Sequence, residues 1–289
     1  MKLTGFLKLV KLITLQGRFR HSGYDYAQTR KQFLADMGPF CPPPANGSRL
    51  LKWTPANPYL KAWFVQAAFI KNAMRAKGGH LWVPDLQLAC IRIPKAASTA
   101  LSFMMLKARY PDLKTLPLLP EKINYLADEN LQAHSIPEIS QTKFFAVVRD
   151  PFSRIVSVYR AFFENPQPHF LYEDYLFGVM RKDFSFLEFL RVLELIPDRL
   201  KDQHLKPQSA ILDFYRQKKI DVKTLKLEEP GNIRRFLSAY DLDFDIRNKS
   251  ETEYDYRQYY DKEAAEIVHR IYARDIHIFG YGSQYGRQF

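Results

Sequence analysis

Two stretches of the chain pass from a strand-like to a helix-like hydrophobic pattern across a short polar loop. In the first, residues 88–93 (LACIRI) form an apolar run of strand character that Pro94 ends. Apolar positions return at Leu101, Met104, Met105 and Ala108, which is helical spacing, and Lys95, Ser98 and Thr99 lie between the two patterns. In the second, residues 144–148 (FFAVV) form an uninterrupted β-rich run, as expected of a strand covered on both faces of a parallel sheet. A helix follows whose buried face is Phe152, Ile155, Val156, Tyr159, Phe162 and Phe163, with Asp150 placed to cap it and Pro151 at its first position. Ser153, Ser157 and Arg160 fall on its other side, and Ser153 and Arg154 read as exposed helix positions.

The remaining pattern supplies the rest of a fold. Helices are expected over residues 2–16, 59–77, 121–132, 184–195 and 261–273, and a strand over 220–227 leads into a helix that runs through Leu237. Residues 38–58 and 111–142 are proline-rich and irregular, residues 202–208 (DQHLKPQ) form a polar turn, and a Tyr-rich loop begins at Asn248. The expectation is an α/β protein: a P-loop-like parallel sheet flanked by helices, forming a single catalytic domain over residues 81–289. A basic N-terminal helical arm with a Pro-rich linker precedes it over residues 1–80.

Charge sharpens that division. The net charge is +12, and residues 1–80 hold 13 Lys/Arg against Asp25 and Asp36, a net +11. Residues 81–289 hold the other 30 Lys/Arg and 29 Asp/Glu, a net +1, so this part is not a basic nucleic-acid domain. Residues 2–16 are amphipathic, with Leu3, Phe6, Leu7, Val10 and Ile13 on one face, yet Lys8 and Lys11 interrupt the run, which is shorter than the roughly 20 residues a membrane span needs. The segment fits either a helix packed on its own domain or a peripheral membrane contact, and no signal-peptide cleavage pattern follows it. The two cysteines, Cys41 and Cys90, have no metal spacing, and Cys90 reads as a buried thiol.

A strand, tight loop and helix start can aim backbone N–H groups and a lysine at a phosphate. The loop at 94–99 has neither glycine of the G-x-x-x-x-G-K-[ST] pattern, so it is a phosphate loop of another kind. Arg149 stands at the carboxyl end of the second strand, where open α/β sheets place ligands.

Taken together, PKAAST at 94–99 and VVRDPFSRIVSVYR at 147–160 resemble the sulfotransferases that use 3′-phosphoadenosine 5′-phosphosulfate (PAPS), above all the carbohydrate branch that modifies glycan hydroxyls. The turn at His204, the strand ending in Leu227-Glu228-Glu229, Asn248-Lys249-Ser250 and the closing YARDIHIFGY at 272–281 fit that branch, so the resemblance covers about residues 88–281. It implies PAPS as donor and no metal. Lys95, Ala96, Ala97, Ser98 and Thr99 would surround the 5′-phosphosulfate, and Arg149 and Ser157 the 3′-phosphate. Lys95 would also be catalytic, its ammonium meeting charge that grows on the bridging oxygen of the departing phosphate. Ser157 lies about two turns, roughly 10 Å, into its helix, so only the resemblance places a phosphate there.

The acceptor hydroxyl needs a base. His134 is the first candidate, because glycan 2-O-sulfotransferases carry a catalytic histidine in the same interval, though farther upstream of the arginine. His204 is the alternative, and Glu164 and Asp174 are carboxylate candidates. The expected function is sulfuryl transfer to a hydroxyl of a saccharide or glycolipid. The expected location is cytoplasmic, peripheral to the inner membrane through residues 2–16, without a signal-anchor. A P-loop-like kinase and a catalytically inactive nucleotide- or polyanion-binding protein are the rival readings. The kinase is disfavoured by the missing glycines and by the lack of a magnesium-holding Asp after a second strand.

Overall fold

The computed structural model describes residues 79–111, 113, 120–133, 141–165, 179–244 and 255–282. Five strands form one sheet in the order β3–β1–β2–β4–β5. They are β1 (His80–Val83), β2 (Leu88–Ile91), β3 (Gln132–Ala133), β4 (Lys143–Val148) and β5 (Val222–Lys226). β2, β4 and β5 run parallel, with Ile91 opposite Ala146 and Val148 opposite Lys226, so their carboxyl ends open on one edge of the sheet. β1 pairs antiparallel with both β2 and β3. The expected parallel sheet is therefore one side of a mixed one, extended beyond β2 by two short, antiparallel-paired strands whose pattern is too brief to register as a period.

Seven helices pack on this sheet among the described residues: α1 (Ser98–Arg109), α2 (Pro120–Leu131), α3 (Pro151–Tyr159), α4 (Phe186–Leu195), α5 (Gln208–Gln217), α6 (Pro230–Ser238) and α7 (Lys262–Ile278). The two-residue period of the strands sorts them into layers. Ala89 and Ile91 of β2 and Phe144, Ala146 and Val148 of β4 face the core made with α3, α4, α5 and α7. Leu88 and Cys90 with Phe145 and Val147 face the opposite core, made with α1, α2 and α6. Both faces of β2 and β4 are thus dry, which is why their sequences are unbroken apolar runs. Burial pushes the Cys90 thiol up to about 12, leaving it an inert core group.

Local signals set the helix ends. The Asp150 carboxylate accepts from the N–H groups of Phe152 and Ser153 at 3.1 and 3.3 Å, with Pro151 in the first turn. Ser185 and Glu188 form a reciprocal capping box at the start of α4. α5 was not expected from the pattern; its start after Pro207 is held from outside, by the Asp275 carboxylate of α7, which accepts from Gln208 N and Ser209 N at 2.6 and 2.8 Å. α7 runs on past the expected end at residue 273 to Ile278, through a non-helical backbone at Tyr272. The expected helices over 2–16 and 59–77 lie outside the described residues.

Candidate active site

The loop from β2 to α1 is short and strained. Lys95 and Ala97 both take left-handed backbone, at φ +65° and +57°, a conformation that costs an L-residue about 1–2 kcal/mol. Ala96 N donates to Ile93 O at 3.1 Å and closes the turn. α1 then begins with no side chain capping it, so the N–H groups of its first turn, which have no partner within the helix, face the loop. Thr99 is oriented from α2: Asn124 Nδ2 donates to Thr99 Oγ1 at 3.1 Å, Ser102 Oγ donates to Asn124 Oδ1 at 3.1 Å, and Arg92 Nη1 donates to Ser102 Oγ at 3.2 Å. Arg92 is itself paired with Asp128. Because Asn124 supplies a donor to the Thr99 oxygen, the Thr99 hydroxyl hydrogen is left to point at a ligand.

Arg149 extends from the end of β4 toward this loop. Its Nη1 donates to Lys95 O at 3.2 Å and its Nε to Ser153 Oγ at 2.9 Å. Its backbone is clamped by Gln208, whose Oε1 accepts from Arg149 N at 2.9 Å while its Nε2 donates to Arg149 O at 2.7 Å. Asp150 N donates to Glu228 Oε1 at 2.7 Å, and Tyr281 Oη donates to Glu228 Oε2 at 2.8 Å. Lys95 and Gln208 thus hold Arg149 from distant parts of the chain, Ser153 from the next turn, and Glu228 holds its neighbour Asp150.

The Lys95 ammonium lies 4.8 Å from the centre of the Phe162 ring, within the range of a cation–π contact. Burial above all, and then the Arg149 guanidinium, push this lysine down from 10.5 to about 8. The His204 ring meets the same Phe162 edge-on, with centroids 5.0 Å apart. His204 Nδ1 lies 2.8 Å from Asp202 Oδ1, which also accepts from His204 N at 2.7 Å. Asp202 is buried. A carboxylate only accepts, so Nδ1 is the donor, and in the neutral imidazole the lone pair belongs to Nε2. Phe162 reaches this position from a single wide π-type turn, Arg160–Glu164, that continues α3.

Of the expected site residues, the structure brings Lys95, Ala96, Ala97, Ser98 and Thr99 into one loop beside Arg149, with His204 joined to Lys95 through Phe162. Ser157 is half-buried on α3, beyond the first turn that Asp150 caps. Glu164 is engaged elsewhere: its carboxylate accepts from Tyr259 Oη at 2.7 and 2.9 Å and pairs with Arg160 at 3.4 Å. His134 and Asp174 lie outside the described residues. Ser153 and Arg154 are not exposed positions: both are buried, Ser153 holding Arg149 and Arg154 bonding to main-chain carbonyls. Pattern reading placed them on the solvent face because it counts polar side chains as outward. Gln208, Phe162 and Asp202 also belong to the site, and the only sequence trace of them was the polar turn at 202–208 and the apolar face of the helix after Asp150.

Among the described residues, no group of three or more His, Cys, Asp or Glu side chains is placed to hold a metal ion. No described helix is long and apolar enough to cross a membrane. A family model described as the sulfotransferase family matches residues 80–282. No curated protein and no solved structure matches the chain.

Proposed function

The chain belongs to the sulfotransferase family and is therefore an enzyme of sulfuryl transfer, and on that premise we propose that it moves the sulfuryl group of PAPS to a hydroxyl of a saccharide or glycolipid. The observation that carries the donor assignment is the pairing of Lys95 and Arg149: two cationic side chains from adjacent parallel strands, tied at 3.2 Å through the Lys95 carbonyl, at the edge where the sheet opens. A nucleotide with phosphate at both its 5′ and 3′ positions has two anionic ends, and the site has two cations to meet them. The loop fits the 5′ end because α1 is uncapped and the Thr99 hydroxyl is free to donate.

In this reading the acceptor oxygen attacks sulfur in line with the bond to the 5′-phosphate oxygen. That S–O bond breaks as the new one forms, the electron pair leaves on the phosphate, and the products are a sulfate ester and the 3′,5′-bisphosphate (PAP). The Lys95 ammonium stabilises the departing oxygen. The acceptor proton passes to a base, His134 or His204; Asp202 bonds to His204 Nδ1, and His204 and Lys95 share contact with Phe162, surroundings that suit a base. Arg149 offers its guanidinium to the 3′-phosphate, with Ser157 on the flank of α3. The arm, residues 1–80 at net +11, is proposed to face an anionic surface, with residues 2–16 as its peripheral membrane contact.

Thermal unfolding is to be followed with PAP alone and with ATP and magnesium. Stabilisation by PAP without metal is expected, and a response confined to ATP and magnesium would overturn the donor assignment. Labelled PAPS with a panel of glycans and glycolipids then tests the acceptor class. Binding of PAP with no transfer to any hydroxyl would make the chain a nucleotide-binding protein instead.

A further inference from the structure

The most deeply buried cation among the described residues takes no part in the chemistry above. Arg154 is 1 % exposed on α3, one position after Ser153. Its Nε donates to Pro94 O at 3.0 Å, the carbonyl immediately before Lys95. Its Nη1 donates to Lys206 O at 3.0 Å and its Nη2 to Gln203 O at 3.1 Å. Those two carbonyls stand on either side of His204 and Leu205. One rigid planar cation therefore bonds to the main chain of both segments, the one that carries Lys95 and the one that carries His204.

A guanidinium suits this place because its five N–H donors diverge in one plane and can bond to three carbonyls at once. A buried cation is retained only where such bonds replace its water. The turn it holds is anchored again at its far end, where Gln208 grips the backbone of Arg149, and at Leu205, whose carbonyl accepts from Tyr272 Oη at 2.8 Å. Loop and turn cannot slide past one another without breaking bonds to Arg154.

We propose that Arg154 is a positioning residue for sulfuryl transfer, setting the Lys95 loop and the His204 turn at a fixed separation so that ammonium and imidazole address the same reacting centre. The inference rests on the roles given above to Lys95 and His204. A misplacement of about 1 Å in such a pair can cost on the order of 100-fold in rate, whereas the bonds that hold Arg149, to Lys95 O, Ser153 and Gln208, do not use the Arg154 side chain. The residue is therefore expected to act on turnover more than on binding.

The test is Arg154→Lys in the full chain, measured for kcat with PAPS and a working acceptor, for PAP affinity, and for thermal unfolding. A kcat about 30-fold lower is expected with PAP affinity within about threefold of wild type. In a His204→Ala background the same change should cost less than about threefold, because two residues acting through one function are not additive. If Arg154→Lys does not accumulate folded, Arg154→Gln, which carries no buried charge, is measured in the same way. A folded variant turning over within threefold of wild type, or one that loses as much in the His204→Ala background as alone, overturns the inference. Failure of the wild-type chain to transfer from PAPS overturns the proposed function and takes this inference with it.

Discussion

The two corners that carry Lys95 and Arg149 share a strand–loop–helix plan and differ in what occupies the tip of the helix. After β2 the backbone twists through two left-handed residues and α1 starts uncapped. After β4 the turn is abrupt, and the Asp150 carboxylate already accepts from the first free N–H groups of α3. An anion can approach α1 head-on, where N–H groups and the helix dipole favour it. At α3 the same approach meets a carboxylate. A phosphate drawn to Arg149 must then lie along the helix flank, which is where Ser157 stands. From the sequence, a phosphate contact two turns into the helix had no physical reason; the filled cap supplies one.

On the proposed function, catalysis falls to the first corner and nucleotide selection to the second. The largest effect expected is therefore at Lys95. Lys95→Ala should lower kcat by about 1,000-fold, the cost of removing a group aimed at developing charge, while PAP still raises the unfolding temperature. A variant with near-normal turnover would show that the first corner only binds. Arg149→Ala should weaken PAP by about 100-fold, a loss of about 2–3 kcal/mol typical of a charge-assisted hydrogen-bond pair. The affinity for adenosine 5′-phosphate should barely change, so the preference between the two nucleotides collapses; calorimetry with both ligands measures it.

The pH profile separates the corners further. In the proposed mechanism Lys95 works protonated, and burial with the Arg149 guanidinium brings its pKa down to about 8 in the ligand-free site. kcat/KM should accordingly fall by about tenfold per unit above about pH 8, since it reports the free enzyme. Nucleotide phosphates favour the charged lysine, so the corresponding fall in kcat lies at higher pH, and PAP binding near pH 8 takes up a proton, seen as a buffer-dependent heat. Lys95→Arg keeps its charge throughout and should abolish the alkaline fall. The smallest effect is at the cap. Asp150→Ala should destabilise the fold by about 1 kcal/mol, read from denaturant unfolding, with Lys95-dependent turnover per folded molecule largely kept.

Much of this site could be read from residue order. The unbroken apolar runs at β2 and β4 mark strands covered on both faces, Asp150 and Pro151 mark a helix start, and a lysine and an arginine after the two strands mark the proposed anion sites. Those signals are local, each lying within a few residues of the element it specifies. The place of His204 was not legible, because nothing near it in sequence says that it shares Phe162 with Lys95.

The chain's sequence settles the α/β class, the two strand–loop–helix corners and the cationic residue each presents. Tertiary packing settles how those corners are held together. Arg154 and Pro94 are 60 positions apart, Arg149 and Gln208 59, Phe152 and Tyr260 108, yet each pair shares a hydrogen bond. A hydrophobic pattern reports burial from side-chain polarity alone, so it places a buried arginine or glutamine at the surface. The carbonyls that make such burial tolerable exist as partners only once the sheet has brought β2, β4 and the turn at 202–208 to one edge.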